Sequence, residues 1–270
     1  MMENTSVAIA ISGLSFIMTV IWGEPLIHLL QAWRIGKIIR EDGPAQHQLK
    51  TGTPTMGGFM ILIPVTLLTI LFNAVSIFGF NLLGRSVLLP LVTMWLYALL
   101  GMIDDWEGIR GPRRGLGMRA RTKFAIQVIL AIAIAFALRD ILEVPQLIWF
   151  TSEEVISLGA LYIPIAVFII VGMSNAVNFT DGLDGLAGLI SATAFTAFGF
   201  VAVIEGQHFL ARFCFSLVGA LFGFLWFNVH PARLFMGDTG SLSLGATLGV
   251  VALMSGQWLI IPLIAVIPAV

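Results

Sequence analysis

Nine stretches of this 270-residue chain are almost purely apolar and are separated by short polar segments. They cover about residues 7–30, 57–72, 87–103, 124–138, 161–177, 186–204, 213–227, 242–254 and 258–270. Most approach the ~17–25 residues that a helix needs to cross the hydrocarbon of a bilayer. Backbone N–H and C=O groups in lipid must be satisfied within the structure itself, so these runs are read as helices. Composition agrees: 58% of residues are hydrophobic and 11% charged, with a mean hydropathy of +0.98. A soluble domain carries about a quarter charged residues. A soluble core holding all nine runs would be far larger than 270 residues can cover. The expected fold is all-α: a polytopic transmembrane helix bundle, eight complete helices plus a partial ninth, in one integral membrane domain spanning residues 1–270. The N-terminus lacks a basic region and a small-residue cleavage pattern, so no removed signal peptide is expected. The single cysteine, Cys214, leaves no intrachain disulfide or cysteine-based metal site and is read as packing. Gly219/Gly223 and Gly245/Gly249, each pair four apart, suit close helix–helix approach.

The basic residues are unevenly placed. Arg34, Lys37, Arg40 and Lys50 follow the first run, Arg110, Arg113, Arg114, Arg119, Arg121 and Lys123 the third, and Arg233 the seventh, so alternate connections hold 11 of the 14 Lys and Arg. The other connections hold Arg85, Arg139 and Arg212. Basic loops stay cytoplasmic, which puts the N-terminus outside. Four unusual polar stretches, residues 51–58, 101–123, 175–188 and 228–241, then share the cytoplasmic face. Solvated turns alone would be found on both faces.

Each stretch has a chemical and a plain reading. Asp104 and Asp105 are adjacent carboxylates directly after the third run. Oxygen ligands without His or Cys suit Mg²⁺ or Mn²⁺, although an isolated Asp-Asp is more often a solvated loop start. Asp181 and Asp184, three apart, would share one face of a helix. With Asn175, Asn178, Thr180 and nearby glycines they suit a nucleotide, a sugar or a metal-phosphate, or else cap a helix N-terminus. Asn178-Phe179-Thr180 matches a glycosylation acceptor but falls on the cytoplasmic side. Gly237-Asp238-Thr239-Gly240-Ser241 is either an anion-binding helix N-terminus, with Asp238 carrying the metal, or a simple capped turn. Gly52-Thr53-Pro54-Thr55-Met56-Gly57-Gly58 reads as a stiff structural turn. Together, several carboxylates, basic residues and glycine turns with no nucleophile–base pair fit phosphoryl chemistry with Mg²⁺. The membrane surface suggests one lipid and one cytoplasmic substrate.

These residues resemble the polyprenyl-phosphate N-acetylhexosamine-1-phosphate transferases, and within them the phospho-N-acetylmuramoyl-pentapeptide transferase branch. The likeness covers nearly the whole chain. It includes Arg40-Glu41-Asp42-Gly43-Pro44, Gly52 through Gly58, Asp104-Asp105, residues 175–187, and Asn228-Val229-His230-Pro231-Ala232 leading into residues 235–242. The resemblance implies that undecaprenyl phosphate attacks the β-phosphate of UDP-MurNAc-pentapeptide, releasing UMP and forming lipid I. It implies Mg²⁺ on Asp238 with Asp181, a catalytic set of Asp104, Asp105, Asp181 and Asp238, and substrate contacts from Lys123, Asn178 and Asp184. Asp104 is the implied base, beside the lipid phosphate. It also implies a bacterial inner-membrane location and a homodimer; membrane lipid is an expected partner and nucleic acid is not. The family has ten helices and a histidine-rich motif between the last two, which His28, His47, His208 and His230 do not replace. The sequence is therefore expected to lack the family's C-terminal part. His28 is expected to pair with Glu24. The alternatives are a sister transferase using UDP-GlcNAc, an intramembrane prenyltransferase releasing pyrophosphate, and a transporter, for which charges would mark a midplane path rather than one face.

Overall fold

The apolar runs fold as helices, and at one end of the bundle the helices continue past the first charged residues. The computed structural model describes residues 2–36, 52–75, 85–111, 115–144, 147 and 155–264. The helices are α1 (Met2–Ala32), α2 (Gly58–Val75), α3 (Leu88–Arg110), α4 (Ala120–Phe136), α5 (Tyr162–Thr180), α6 (Leu186–Ile204), α7 (His208–Asn228), α8 (Gly237–Ser255) and a short α9 (Ile261–Ile264). A π-helical turn, Ala137–Ile141, extends α4. The described residues contain no strand, only an isolated bridge between Gly36 and Pro54. Eight long helices and the start of a ninth match the reading from apolar runs.

Six of these segments are long and apolar enough to cross a membrane: Ser6–Ala32, Leu88–Arg110, Ala120–Ile141, Gly159–Thr180, Leu186–Ile204 and His208–Asn228; Gly58–Phe72 is apolar but shorter. α8 is the instructive exception. All its residues from Thr239 to Ser255 are buried. Enclosed by protein rather than lipid, it tolerates Thr239, Ser241, Ser243, Thr247 and Ser255. Several of these hydroxyls donate back to the helix itself, Ser243 Oγ to Gly240 O at 2.8 Å and Thr247 Oγ1 to Ser243 O at 2.7 Å. α7 is the other central helix, 83% buried over its most apolar window, against 28% for α1 and α4 at the periphery.

Glycine sets the spacing around this core. A Cβ on Gly245 would lie 2.3 Å from the Met173 carbonyl oxygen of α5, and one on Gly101 of α3 would lie 2.1 Å from that of Asp238. Gly58 of α2 crosses Gly240 of α8, and Gly219 and Gly223 of α7 meet Ser12 and Thr19 of α1. The packing role expected of Gly219/Gly223 and Gly245/Gly249 is thus what they perform. Cys214 is buried, and His28 Nε2 lies 3.7 Å from Glu24 Oε1, as expected.

Two expectations about helix ends need correction. Asp104 and Asp105 lie within α3 rather than after it, and Lys123 is in the first turn of α4; Asp238 opens α8, as the glycine-rich turn suggested. The apolar runs stop at the first charge, whereas the hydrogen-bonded helix does not. The Arg40-Glu41-Asp42-Gly43-Pro44 motif lies outside the described residues, as do Lys37, Lys50, Arg113 and Arg114.

Gly245→Ala tests the packing. Ala gains about 1 kcal/mol of helix propensity over Gly, but the contact is with backbone and cannot be relieved by a side-chain rotation. A net loss of about 1–3 kcal/mol is expected, read as a lower thermal midpoint in detergent. Gly13→Ala on α1, where a Cβ would meet nothing within 4 Å, should leave the midpoint unchanged or raise it.

Candidate active site

The polar stretches meet at one end of the bundle, formed by the C-terminal ends of α3 and α5 and the N-terminal ends of α4 and α8. Residues 54–57 and 235–236 support it from below: Gly57 N–H donates to Phe235 O at 2.8 Å, Gly58 N–H to Met236 O at 3.0 Å, and Phe235 N–H to Pro54 O at 2.8 Å. The Gly-Thr-Pro-Thr-Met-Gly-Gly stretch is therefore a structural brace, with Thr55 facing the site. A cavity of about 260 Å³ opens here, its lining including Thr55, Asp104, Asp105, Asn178, Asp181 and Asp238.

Asp238 is the hub. Its Oδ2 accepts a hydrogen bond from Lys123 Nζ, and its Oδ1 accepts from Asn178 Nδ2 at 2.9 Å. Asn178 Nδ2 also donates to Ser241 Oγ at 2.8 Å, which fixes the amide orientation. Lys123 Nζ lies 3.6 Å from Asp104 Oδ2 as well. Lys123, Asp104 and Asp238 side chains are only 16%, 15% and 23% exposed; the two carboxylates line the cavity and Lys123 is bonded beside them. Asp104 Oδ1 accepts from Met118 N–H at 2.9 Å. That contact requires Gly117, whose φ is +63° and whose Cβ would lie 2.8 Å from Asp104 Oδ2.

Asp105 does something different from its neighbour. Its carboxylate accepts the backbone N–H groups of Asp238 and Thr239, at 3.1 and 3.0 Å, and the Thr239 hydroxyl at 2.7 Å. The N-terminus of α8 is an anion site, as the glycine-rich sequence suggested, but the anion is Asp105 itself. A negative charge at the positive end of the α8 dipole and three hydrogen bonds lock α3 to α8. Gly237, at φ +71°, makes room for it, since a Cβ there would lie 2.6 Å from Asp105 Oδ2.

Asp181 and Asp184 do not share a helix face. Asp181 caps the C-terminus of α5, with φ −75° and ψ 40°, and lines the cavity. Asp184 lies in the following turn, where its Oδ2 is 3.1 Å from His230 Nδ1 and 3.4 Å from Ala232 N. It is outside the residues that line the cavity. Gly185, at φ +80°, precedes α6 as its N-cap and donates its N–H to Asn228 Oδ1 at 2.9 Å. The structure thus gathers Asp104, Asp105, Lys123, Asn178, Asp181 and Asp238, and sets Asp184 apart.

Two carboxylates, Asp104 and Asp238, lie within ion-pair distance of one ammonium, Lys123, and Asp105 adjoins them, so carboxylates outnumber the cation. Two unit charges about 4 Å apart interact by about 4 kcal/mol at an effective dielectric near 20, so a further cation is favoured. The donors are all oxygen, and Asp104 and Asp238 already converge on one cation, Lys123. Among the described residues no three or more His, Cys, Asp or Glu side chains are grouped to hold a metal. Mg²⁺ needs only one or two carboxylates when water and phosphate complete its shell, so the residue set fits that ion.

A model of glycosyl transferase family 4 matches residues 87–256. The chain is 42% identical to the phospho-N-acetylmuramoyl-pentapeptide-transferase of Chloroflexus aggregans, over 99% of this chain and 73% of that protein. It is 40% identical to the Geobacillus sp. strain WCH70 protein of that name, over 90% and 73%, and 41% to that of Geobacillus kaustophilus, over 97% and 79%. The chain belongs to this transferase family. It is a phosphotransferase and a multi-pass bacterial membrane protein. The family model spans every lining residue named above except Thr55. Gly117 and Met118 support the transferase site and were not singled out in the sequence reading, whereas Thr55 and Ser241 entered it only as members of the Gly52–Gly58 and Gly237–Ser241 turns. Met118 and Ser241 act through contacts formed only on folding.

Asp105 and Asp104 should separate in stability. Asp105→Ala removes the cap of α8 and is expected to cost about 0.5–2 kcal/mol, lowering the thermal midpoint of the transferase in detergent. Asp104→Ala should shift it less. Equal shifts would argue against the capping role.

Proposed function

We propose that the transferase moves phospho-MurNAc-pentapeptide from UDP-MurNAc-pentapeptide to undecaprenyl phosphate, releasing UMP and forming lipid I, with Mg²⁺ as cofactor and the cavity open to the cytoplasm. The observation that supports it is the meeting of Lys123, Asp104, Asp238 and Asn178, from four separate helices, at one small cavity at one end of the bundle. The named relatives point to the same substrate class.

The lipid phosphate is the nucleophile. A phosphate monoester has a second pKa near ~6, so it is already largely dianionic at neutral pH. Little proton removal is asked of Asp104. Its work is to position, held by Met118 N–H and Lys123. The greater demand is charge: an anion must attack an anionic diphosphate beside three carboxylates. Lys123 lies between Asp104 and Asp238 and would share its charge with a phosphoryl oxygen. Asn178 keeps the Asp238 carboxylate in one orientation. Asp105 works at a distance from the reacting atoms by holding α8, and with it Asp238, against α3. Asp238, with Asp181 across the cavity, would hold Mg²⁺, which when bound offsets charge on the transferring phosphoryl group. Asp184 would act at the nucleotide through the turn it shares with His230 rather than within the cavity. The basic loops at this end favour the cytoplasmic side.

The test is UMP release in detergent from undecaprenyl phosphate, Mg²⁺ and either UDP-MurNAc-pentapeptide or UDP-GlcNAc. Release with the muramoyl nucleotide alone, abolished by chelation, is the expected result; release with UDP-GlcNAc alone would move the chain to the sister activity. Asp104→Asn is expected to retain measurable turnover while Asp238→Asn retains almost none. Equal and complete loss in both would restore Asp104 as an obligate base.

A further inference from the structure

The four helices that deliver the cluster are also joined to one another a turn or two deeper in the bundle. Tyr97 Oη, seven residues before Asp104 on α3, donates to the backbone carbonyl of Gln127 on α4 at 2.8 Å. Gln127 lies four residues after Lys123, so the two share one face of α4. Its Oε1 accepts from Asn175 Nδ2 at 2.8 Å, and Asn175 precedes Asn178 by three residues on α5. Beside it, Ser174 Oγ donates at 3.2 Å to Leu242 O of α8, four residues beyond Asp238. Behind each of Asp104, Lys123, Asn178 and Asp238 there is thus a bond to a neighbouring helix.

α4 depends on this chain of bonds more than its neighbours do. Gly101 and Gly245 let α3 and α5 meet the α8 backbone directly, whereas α4 holds no glycine. α4 lies at the periphery, and Gln127 is the one polar residue between Phe124 and Phe136. Tyr97 and Gln127 are both buried. A polar side chain within a membrane helix serves helix association or a function. The orientation of the two amides is settled by the backbone. Asn175 Nδ2 also donates to Val171 O at 2.8 Å, so its nitrogen faces Gln127 and the Gln127 oxygen must accept. Gln127 Nε2 is then buried without a hydrogen-bond partner among the described residues. A buried donor left unpaired lowers stability. An apolar side chain of similar length would pack at least as well, so an amide here is explained by the geometry it imposes.

We propose that Gln127 is a positioning residue for the phosphoryl transfer. Bonded through its side chain to α5 and through its carbonyl to α3, it sets the depth and rotation of α4 and so places Lys123 Nζ between Asp238 and Asp104. It is not among the residues that line the catalytic cavity. The inference rests on the transfer reaction proposed above. A misplacement of about 1 Å can cost on the order of 100-fold in rate. Lys123 meets charge on the transferring phosphoryl group, so its displacement lowers kcat and leaves KM nearly unchanged.

Two substitutions separate the tie from the packing. Gln127→Met keeps the length and removes the amide; Tyr97→Phe removes only the hydroxyl. In the UMP-release assay Gln127→Met is expected to lower kcat about tenfold, with KM for UDP-MurNAc-pentapeptide within about twofold of the parent and a thermal midpoint unchanged or raised. Tyr97→Phe should give a smaller fall of the same kind. Lys123 shares the chain only with Lys37 and Lys50 as lysines, so acylation of its amine can be followed by peptide mass spectrometry with no substrate present. Acylation of Lys123 is expected to be severalfold faster in Gln127→Met than in the parent, because the amine is no longer held on Asp238. Parent-like kcat in either variant, a fall in kcat no larger than the loss of folded protein, or Lys123 acylation at the parent rate would overturn the proposal. Failure of the parent to release UMP from either nucleotide would instead reject the reaction, and the acylation rates would still decide the role of Gln127.

Discussion

The carboxylate of Asp105 on the amino end of α8 is the contact on which the catalytic end depends. A helix buried on every side must still satisfy its first N–H groups, and where α8 begins the acceptors come from α3. Asp105 supplies the acceptors for Asp238 N–H, Thr239 N–H and the Thr239 hydroxyl together. The same bonds fix the backbone of Asp238. Without them the hub of the Lys123–Asp104–Asn178 cluster would have no defined place. Adjacent carboxylates in the chain thus take unlike tasks, Asp104 facing the cavity and Asp105 holding the scaffold.

That division follows from how tightly α8 is enclosed. Gly101, Gly58 and Gly245 let α3, α2 and α5 approach its backbone directly. Close approach brings polar residues on four helices within reach of one another and leaves a small cavity rather than an open vestibule. It also explains why the central helix carries hydroxyl residues along its length. Its environment is protein, so serines and threonines bonded to their own helix are tolerated where lipid-facing helices carry Leu, Ile and Phe. Rigid helix ends position the site, with the glycine turns beside them providing clearance: Gly237 for Asp105 and Gly117 for Asp104.

Much of this was legible beforehand. The apolar runs predicted the helices, and the unequal distribution of Lys and Arg separated one set of connections from the other. The four polar stretches on one side turned out to adjoin in space. Misreadings came from locality. Ending a helix at its first charge put Asp104, Asp105 and Lys123 in loops, because hydropathy reports the membrane's edge and not the helix's end. Spacing alone placed Asp181 and Asp184 on one face, but α5 ends at Thr180, both residues lie in the turn before α6, and Asp184 faces His230 instead.

What the sequence determined by itself was the class of fold, the number of long helices, and the stock of oxygen and cationic groups at one end. Those are properties of each segment's own chemistry, set by transfer of side chains between water and lipid. Only the tertiary structure decided which groups meet: that Asp238 is the hub, that Asp105 fills the anion site of α8, and that Asp184 stands outside the cavity. Partner choice depends on the distances between helix backbones, and those are set by close packing around glycines that sit far apart in the chain.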